Sequence, residues 1–493
     1  MFPNLSCPFY LMQRYKHFLP PLALSFLLAW VYLASLAPGL SWAHFGADGG
    51  DLITAAATNG IAHPSGYPTY LLLARLFQFL PVGSLAYRTN LLSACCAIFA
   101  ALILYFLTER SLPLTKPGLR SLIASISGLA FGLSPLFWSQ ALITEVYTLH
   151  LFFLTLILYL CFGLPQDLKT RRVDFLIGTT LGLALGNHLT SLLLLPVVLL
   201  AAPRNWKSLA LRLAGVASGG LVYLILPLRA LSGPPLNWGN PATLDGFFWL
   251  VTGRLYAGQL ALLPWPAMLE RIAAIAALAW GQFGLLGLAL GLAGTVSGGL
   301  PLNLNRSLLW LAAGSVLFAL VYTTSDSFLY LLPVILSFSV WIGAGLAKGS
   351  QLLSARWPRL APSLAILFLI FLAGQTALNW QKVDASHDLR AEDFGEQVLA
   401  ALPPNALVFA RGDQAVFGLW YFHFGLKQRP DLVILSSDLL QFSWYLDSLR
   451  VAYPSLQVSG SFLFESSLIA ANPARPNCTV TYLNWPQVYC APR

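Results

Sequence analysis

Long apolar stretches alternate with short polar ones along most of the chain, and the polar intervals carry the basic residues. The apolar segments run over 18–38, 86–107, 119–136, 141–163, 173–187, 188–203, 210–228, 271–298, 307–323, 327–347 and 361–379. A helix needs about 20 apolar residues to cross a bilayer, so the pattern predicts an α-helical polytopic membrane protein with about eleven transmembrane helices. The segments 173–187 and 188–203 are short for that purpose and meet at Gly186-Asn187-His188. Between Tyr67 and Leu80 an apolar stretch is interrupted by Arg75 and Gln78, which predicts an interfacial helix lying along the membrane surface. The connection 229–270 is rich in Gly, Pro and Trp and is expected to form a structured loop with an aromatic belt.

After 380 the pattern changes. DLRAEDFGEQVLAALPPNALVFARGDQ reads as helix, turn and strand, PDLVILSSD as a second strand, and FSWYLDSLRVAY as a helix. The chain therefore divides into a membrane domain over 1–379, with loops at 39–85 and 229–270, and a small α/β module over 380–493. The Arg-Gly-Asp at 411–413 is read here as the end of a strand, a chance match to a short motif.

Composition supports this division. Of the 493 residues 57% are hydrophobic and 10% charged, whereas soluble domains carry about 25% charged residues. The net charge of +9 matters less than its placement, and nucleic acid is not an expected partner. Basic residues gather at Arg14 and Lys16, at Arg110, Lys116 and Arg120, at Lys169, Arg171 and Arg172, at Arg204, Lys207 and Arg212, at Arg306, and at Lys348, Arg356 and Arg359. With the N-terminus in the cytoplasm all of these fall on the cytoplasmic side. The loops 45–68 and 229–270, the Asp326 turn and everything after 380 then fall outside. A cleaved signal peptide fits the N-terminal apolar run less well than a retained helix, because signal cores span only about 7–15 residues. Cys95, Cys96 and Cys161 lie in apolar runs as small hydrophobes. Cys478 and Cys490, in an extracytoplasmic tail, are free to pair or to remain thiols.

Candidate chemistry concentrates in Phe45–Pro68, FGADGGDLITAAATNGIAHPSGYP. Carboxylates beside a membrane are costly and mark a functional site. Asp48 is the candidate general base, taking a proton from an acceptor hydroxyl as it attacks a sugar's anomeric carbon. Asp51 is its candidate partner, to orient the acceptor or to bind a cation, although it also fits the N-cap of LITAAAT. His63-Pro64-Ser65-Gly66-Tyr67-Pro68 predicts a rigid turn in which His63 either contacts a phosphate or is simply exposed. Glu145, in WSQALITEVYTLH, is expected to face the bundle interior or a wet cavity. Asn187 and His188 sit at a helix break that lines a cavity or forms a plain hairpin turn. Arg75, Arg88, Arg229, Arg254 and Arg271 fall on the outer side, where a lipid phosphate would call for guanidinium groups. Arg229 is the preferred clamp, and snorkelling explains Arg88 and Arg271 equally well. Asp326 either faces the same cavity or caps the next helix. No nucleotide-binding loop, zinc motif or nucleophile elbow occurs, so an outward-facing transferase would need its donor on a membrane lipid.

FGADGGDLITAAATNGIAHPSGYPTYLLLARLF, YRTNLLSA, FWSQALITEVYTLH, GLALGNHLT and PLNWGNP together resemble a family of bacterial membrane proteins similar to protein O-mannosyltransferases, within the GT-C glycosyltransferases. The likeness runs strongly over about 20–260 and more weakly beyond. It implies a catalytic carboxylate in the first outer loop and a polyprenyl-phosphate sugar donor. Asp48 matches the family's first acidic residue. Asp51 stands where Glu is usual and Ser65 where Pro is usual, which leaves the role of Asp51 less defined. The expected substrate-binding set is His63, Tyr67, Glu145, Asn187, His188, Arg229, Asn237 and Trp238.

The sequence therefore predicts an inverting glycosyltransferase of a bacterial inner membrane, C-terminus outside, that moves a sugar (mannose by analogy) to a protein hydroxyl or a glycan. It needs no cofactor, and nothing in the sequence supports a metal. The competing readings are a transporter or lipid-linked-sugar flippase, disfavoured by the lack of internal repeats, and a non-catalytic envelope-assembly scaffold.

Overall fold

The structure, a computed structural model, describes residues 18–201, 205–458 and 464–491. Arg14, Lys16 and Arg204, counted among the basic clusters, lie outside the described residues.

Each of the eleven predicted segments falls on helix. Among the described residues six helices are long and apolar enough to cross a membrane, or seven if the bent pair Pro117–Gly132 and Pro135–Ala141 counts as one span. Leu19–Ser35, Tyr147–Gly163 and Leu189–Leu200 are apolar but shorter, and Arg171–Leu185 has 15 residues. The expected count of eleven spans is therefore not met by length. The shortfall has a local cause at Ser134-Pro135, where proline opens a new helix and the chain turns by 69°.

The helices Arg171–Leu185 and Trp206–Gly220 show how such segments pair without a hydrophobic driving force. Gly178 and Gly182 face Gly215 and Gly219, and a Cβ added at any of them would meet the partner backbone at 2.0–2.5 Å. This is the small-residue packing of membrane helices. Asp174 and Arg212 tie the pair together with a buried ion pair at 2.7 Å.

The tail forms a four-stranded sheet in the order β2-β1-β3-β4. Here β1 is Leu407–Ala410, β2 Val433–Ser436, β3 Asn477–Tyr482 and β4 Pro486–Cys490. The first three are parallel and β4 is antiparallel to β3. The helices Arg390–Ala401 and Ser443–Ala452 and strands β1 and β2 stand where the apolar patterning puts them. Cys478 and Cys490 are joined by a disulfide across β3 and β4, whereas Cys96 and Cys161 are buried free thiols and Cys95 a half-buried one.

This module does not stand apart from the membrane domain. Leu40, Trp42, Leu52, Ile53 and Tyr70 share one hydrophobic core with Phe394, Phe409, Phe417 and Trp420. The helix Asp413–Trp420 lies directly on the helix Gly49–Ala57. A Cβ at Gly50 would stand 2.4 Å from the Phe417 carbonyl oxygen, so only glycine admits this approach. Asp388 adds a polar tie, accepting from Ser41 Oγ at 2.7 Å and from the backbone N–H groups of Trp42 and Ala43 at 2.9 and 2.7 Å.

Candidate active site

Asp48 and Asp51 are separated by Gly49 and Gly50 and enter the helix Gly49–Ala57 from opposite environments. Asp51 is fully buried in the first turn of that helix. Its Oδ2 accepts from the His63 backbone N–H at 2.9 Å and from His63 Nδ1 at 2.7 Å. Its Oδ1 accepts from Trp238 Nε1 at 3.1 Å. Both carboxylate oxygens are thus committed, and Asp51 serves neither as a helix cap nor as a wall of the cavity described below.

The turn His63–Pro68 takes the form the sequence predicts. Gly66 has φ +81° and Tyr67 occupies the left-handed region at φ 44°, and Tyr67 Oη donates to the Pro64 carbonyl at 3.2 Å. His63 is not exposed: its side chain is 6% accessible, and its ring is stacked on Phe417, with centroids 6.2 Å apart. Its Nε2 stands 3.4 Å from Asp48 Oδ2.

Asp48 faces a cavity of about 1240 Å³ and is 40% accessible through it. Burial among protein groups pushes its pKa up to about 6, against the lowering pull of His63. Burial alone would lower the His63 imidazole, but Asp48 and Asp51 outweigh it and raise the pKa to about 9. At neutral pH the arrangement is therefore an ionised Asp48 beside a protonated His63.

The cavity has two kinds of wall. Leu189, Leu192, Leu193, Trp310, Leu317 and Phe318 make an apolar arm between membrane helices. Asp48, His63, Asp326, Arg411, Asp413 and Gln414 make a polar mouth. His188 and Tyr147 line the cavity as well, their ring centroids 5.6 Å apart. The tautomer of His188 follows from its partners. Its Nδ1 receives the Thr190 backbone N–H at 3.4 Å and lies 2.7 Å from Thr190 Oγ1, which in turn lies 3.3 Å from His150 Nε2. His150 Nδ1 is 3.1 Å from Ser191 Oγ. An accepting Nδ1 leaves the proton of a neutral ring on Nε2, so His188 carries an N–H donor at its other edge.

The remaining expected contacts fall elsewhere. Arg229 does not line the cavity; its Nη1 donates to the Gly60 carbonyl at 3.1 Å and supports the loop ahead of His63. The other outer arginines do not line it either. Arg88 is taken up by the carbonyls of Gln78, Val82 and Gly83. Glu145 is buried behind the wall, as is Asn187, whose Nδ2 donates to the Val146 carbonyl at 3.1 Å. Asn237 Nδ2 reaches Asn240 Oδ1 at 3.4 Å, and Trp238 is buried away from the cavity, donating to Asp51. Asp326 does face the cavity, 3.5 Å from Tyr147 Oη.

The arginine that lines the cavity is Arg411, from the segment read in sequence as a strand end. The expected strand β1 ends at Ala410, and Arg411–Asp413 form the turn after it that lines the cavity. Gly412, at φ +79°, is the available signal there, because a strand that must turn sharply into a helix needs such a residue. Among the described residues no group of three or more His, Cys, Asp or Glu side chains is arranged to hold a metal ion.

Comparison with known proteins gives a consistent picture. Residues 48–209 match the protein O-mannosyl-transferase TMEM260 N-terminal domain, and residues 391–463 match TMEM260-associated domain 2. The mouse protein O-mannosyl-transferase TMEM260 is 28% identical over 454 residues, covering 84% of this chain and 62% of the mouse protein. The Dictyostelium discoideum protein of that name is 25% identical over 465 residues, covering 81% of this chain and 55% of its own length. The chain thus spans about three fifths of the length of these relatives. Among solved structures, ArnT from Cupriavidus metallidurans bound to undecaprenyl phosphate superposes with a TM-score of 0.61 at 12% identity, covering 95% of this chain and 93% of ArnT. Apo ArnT gives a TM-score of 0.56 at 13% identity, with 94% and 92% covered. The chain is an integral membrane protein of GT-C fold, similar in sequence to the protein O-mannosyl-transferase TMEM260 N-terminal domain over 48–209 and to TMEM260-associated domain 2 over 391–463.

Proposed function

We propose that this protein is a membrane glycosyltransferase that moves a monosaccharide from a polyprenyl-phosphate carrier to a protein hydroxyl on the outer face of the membrane. One observation carries the reading: a carboxylate, Asp48, lines one cavity together with an apolar wall and a polar one. A lipid-linked donor joins an apolar tail to a polar phosphate-sugar head, and the cavity offers an apolar wall and a polar one. Acceptance of such a carrier by ArnT, whose structure holds undecaprenyl phosphate, agrees with this use of the fold.

In the reaction Asp48 takes the proton of the acceptor hydroxyl. The hydroxyl oxygen forms a bond to the anomeric carbon from the face opposite the phosphate. The bond between that carbon and the phosphate oxygen breaks, its electron pair leaves with the lipid phosphate, and configuration inverts in the single displacement. Protonated His63 holds Asp48 in place, and Asp51 holds His63. His188 Nε2–H and Tyr147, nearer the apolar arm, are the donors to the departing phosphate. Arg229, Asn237 and Trp238 act from behind the wall as supports. The outward placement is supported by the distribution of basic residues and by the Cys478–Cys490 disulfide, a bond rare in reducing compartments.

The test is to incubate purified protein with a panel of polyprenyl-phosphate sugars and a Ser/Thr peptide and to follow donor consumption and glycopeptide formation. One donor consumed with stoichiometric glycopeptide supports the reading. Uptake of a lipid-linked sugar into vesicles without product would overturn it.

A further inference from the structure

We infer that the turn Arg411–Gln414 of the C-terminal module is the acceptor subsite, and that it selects a hydroxyl carried on a neutral or basic peptide segment over an acidic one. The inference rests on the glycosyltransferase reading and names the substrate side of the same site.

The geometry leaves one side for the acceptor. The apolar arm opens between membrane helices and is lined by Leu192, Trp310 and Leu317, so a lipid-borne donor fills it from the bilayer. The polar part of the cavity is lined, from the C-terminal module, by Arg411, Gly412, Asp413 and Gln414, with Tyr482 at the end of β3. Asp48 and this turn line the same cavity.

The turn is built to hold its shape. Gly412 takes φ +79° between β1 and the helix Asp413–Trp420, a conformation closed to side-chain-bearing residues. Arg411 is held by the neighbouring helix through two contacts from its Nη2 to Glu465, at 2.9 and 3.0 Å. The helix behind is fixed on the catalytic loop by the Gly50–Phe417 contact. Arg411 therefore positions the turn, with its charge already matched by Glu465. Asp413, by contrast, has no hydrogen-bond or ion-pair partner among the described residues and is exposed toward the mouth.

The charges give the preference. Asp48, Asp326 and Asp413 face the cavity, set against His63 and an Arg411 that Glu465 already neutralises. A peptide bringing lysine beside its serine or threonine meets complementary charge, and one bringing glutamate meets repulsion. Such complementarity acts on selection more than on the chemical step.

The experiment compares two fluorescent peptides of equal length, one with lysine and one with glutamate flanking a single threonine, binding to purified full-length protein in detergent. The expected result is at least fivefold tighter binding of the lysine peptide, falling to less than twofold in Asp413→Asn. In transfer assays Asp413→Asn raises the peptide KM about fivefold or more, with kcat and the KM for the lipid donor within twofold. Retained donor KM, or retained binding of the lipid phosphate alone, shows that the variant is folded. An unchanged peptide ratio in folded Asp413→Asn, or an equal loss of kcat for both peptides, overturns the inference. Peptide selection by Asp413 in a protein that transfers no sugar would keep this subsite and remove the glycosyltransferase reading. Transfer without Asp413-dependent selection would do the reverse.

Discussion

His63 is bound twice by one oxygen of Asp51, through its backbone N–H at 2.9 Å and its ring Nδ1 at 2.7 Å. The double contact fixes both where the turn begins and which way the imidazole points. It separates the two aspartates that the sequence presents as a pair. Asp48 is open to the cavity and Asp51 is sealed beneath it, so their substitutions differ in kind.

Asp48→Asn is expected to lower transfer at least 100-fold, the scale of a general-base contribution of about 10²–10⁴, with no loss of thermal stability. Asp51→Ala leaves the His63 ring and Trp238 Nε1 without their shared acceptor. Breaking a buried charged contact costs about 3 kcal/mol or more, so its unfolding temperature in detergent is expected to fall. Paired activity and melting measurements on both variants check this. Wild-type transfer by Asp48→Asn would remove Asp48 as the base.

The pH profile of kcat/KM is expected to be bell-shaped. Below about pH 6 Asp48 takes up a proton and ceases to be a base, and above about pH 9 His63 loses the proton that pairs it with Asp48. The stability contribution of His63 has the same upper limit: its folded pKa is raised, so the contribution is full below the unfolded value and is lost as pH rises through about 9. In Asp51→Asn the alkaline limb moves to lower pH, because one of the carboxylates that raise the His63 pKa is gone. Initial rates across pH 5 to 10 at low donor concentration decide it, and an unmoved alkaline limb in Asp51→Asn would detach that limb from His63.

His188 supplies a donor at Nε2 if Nδ1 accepts as the hydrogen-bond chain requires. Glutamine places an amide N–H near the Nε2 position and asparagine does not. His188→Gln is expected to keep polyprenyl-phosphate affinity within about threefold, and His188→Asn to lose about tenfold, the equivalent of one charge-assisted hydrogen bond of about 1.5 kcal/mol. Binding of polyprenyl phosphate without sugar is the measurement. Equal affinity in both variants would assign His188 to packing alone.

Reduction of Cys478–Cys490 opens a loop with a sequence separation of 12, worth about 3 kcal/mol by chain entropy. Because β4 pairs with β3 independently along five residue pairs, the module is expected to melt several degrees lower rather than to unfold at 25 °C. Differential scanning with and without a phosphine reductant reads this directly, and an unchanged melting temperature would mean that the strand pairing alone carries the edge.

Much of this architecture was legible in the chain, for physical reasons that differ by region. Hydrophobic period alone places a helix at each apolar segment, because burial in lipid leaves the backbone no other way to satisfy its polar groups. The carboxylates and the His63 turn stand out because charge beside a bilayer is costly. The division of labour between Asp48 and Asp51 was not visible, since it depends on which one Trp238, distant in sequence, can reach. Arg229 is absent from the cavity wall for a similar reason: its direction is set by the Gly60 carbonyl. Strands β3 and β4 are only half buried, whereas β1 and β2 are buried throughout and stand out as apolar runs. Arg411 and Asp413 were missed because they belong to the site only once Phe417 has docked at Gly50, a contact between residues with no local relation.

That docking has a consequence for how such proteins diversify. With Gly50 seated under the Phe417 carbonyl, the proposed base and the proposed acceptor surface are cast as a single block. A foreign module grafted after residue 380 would inherit reactivity only if it carried a helix able to sit at van der Waals distance on that glycine. Changes confined to the three side chains of the turn, by contrast, can retune selectivity while the base stays where it is.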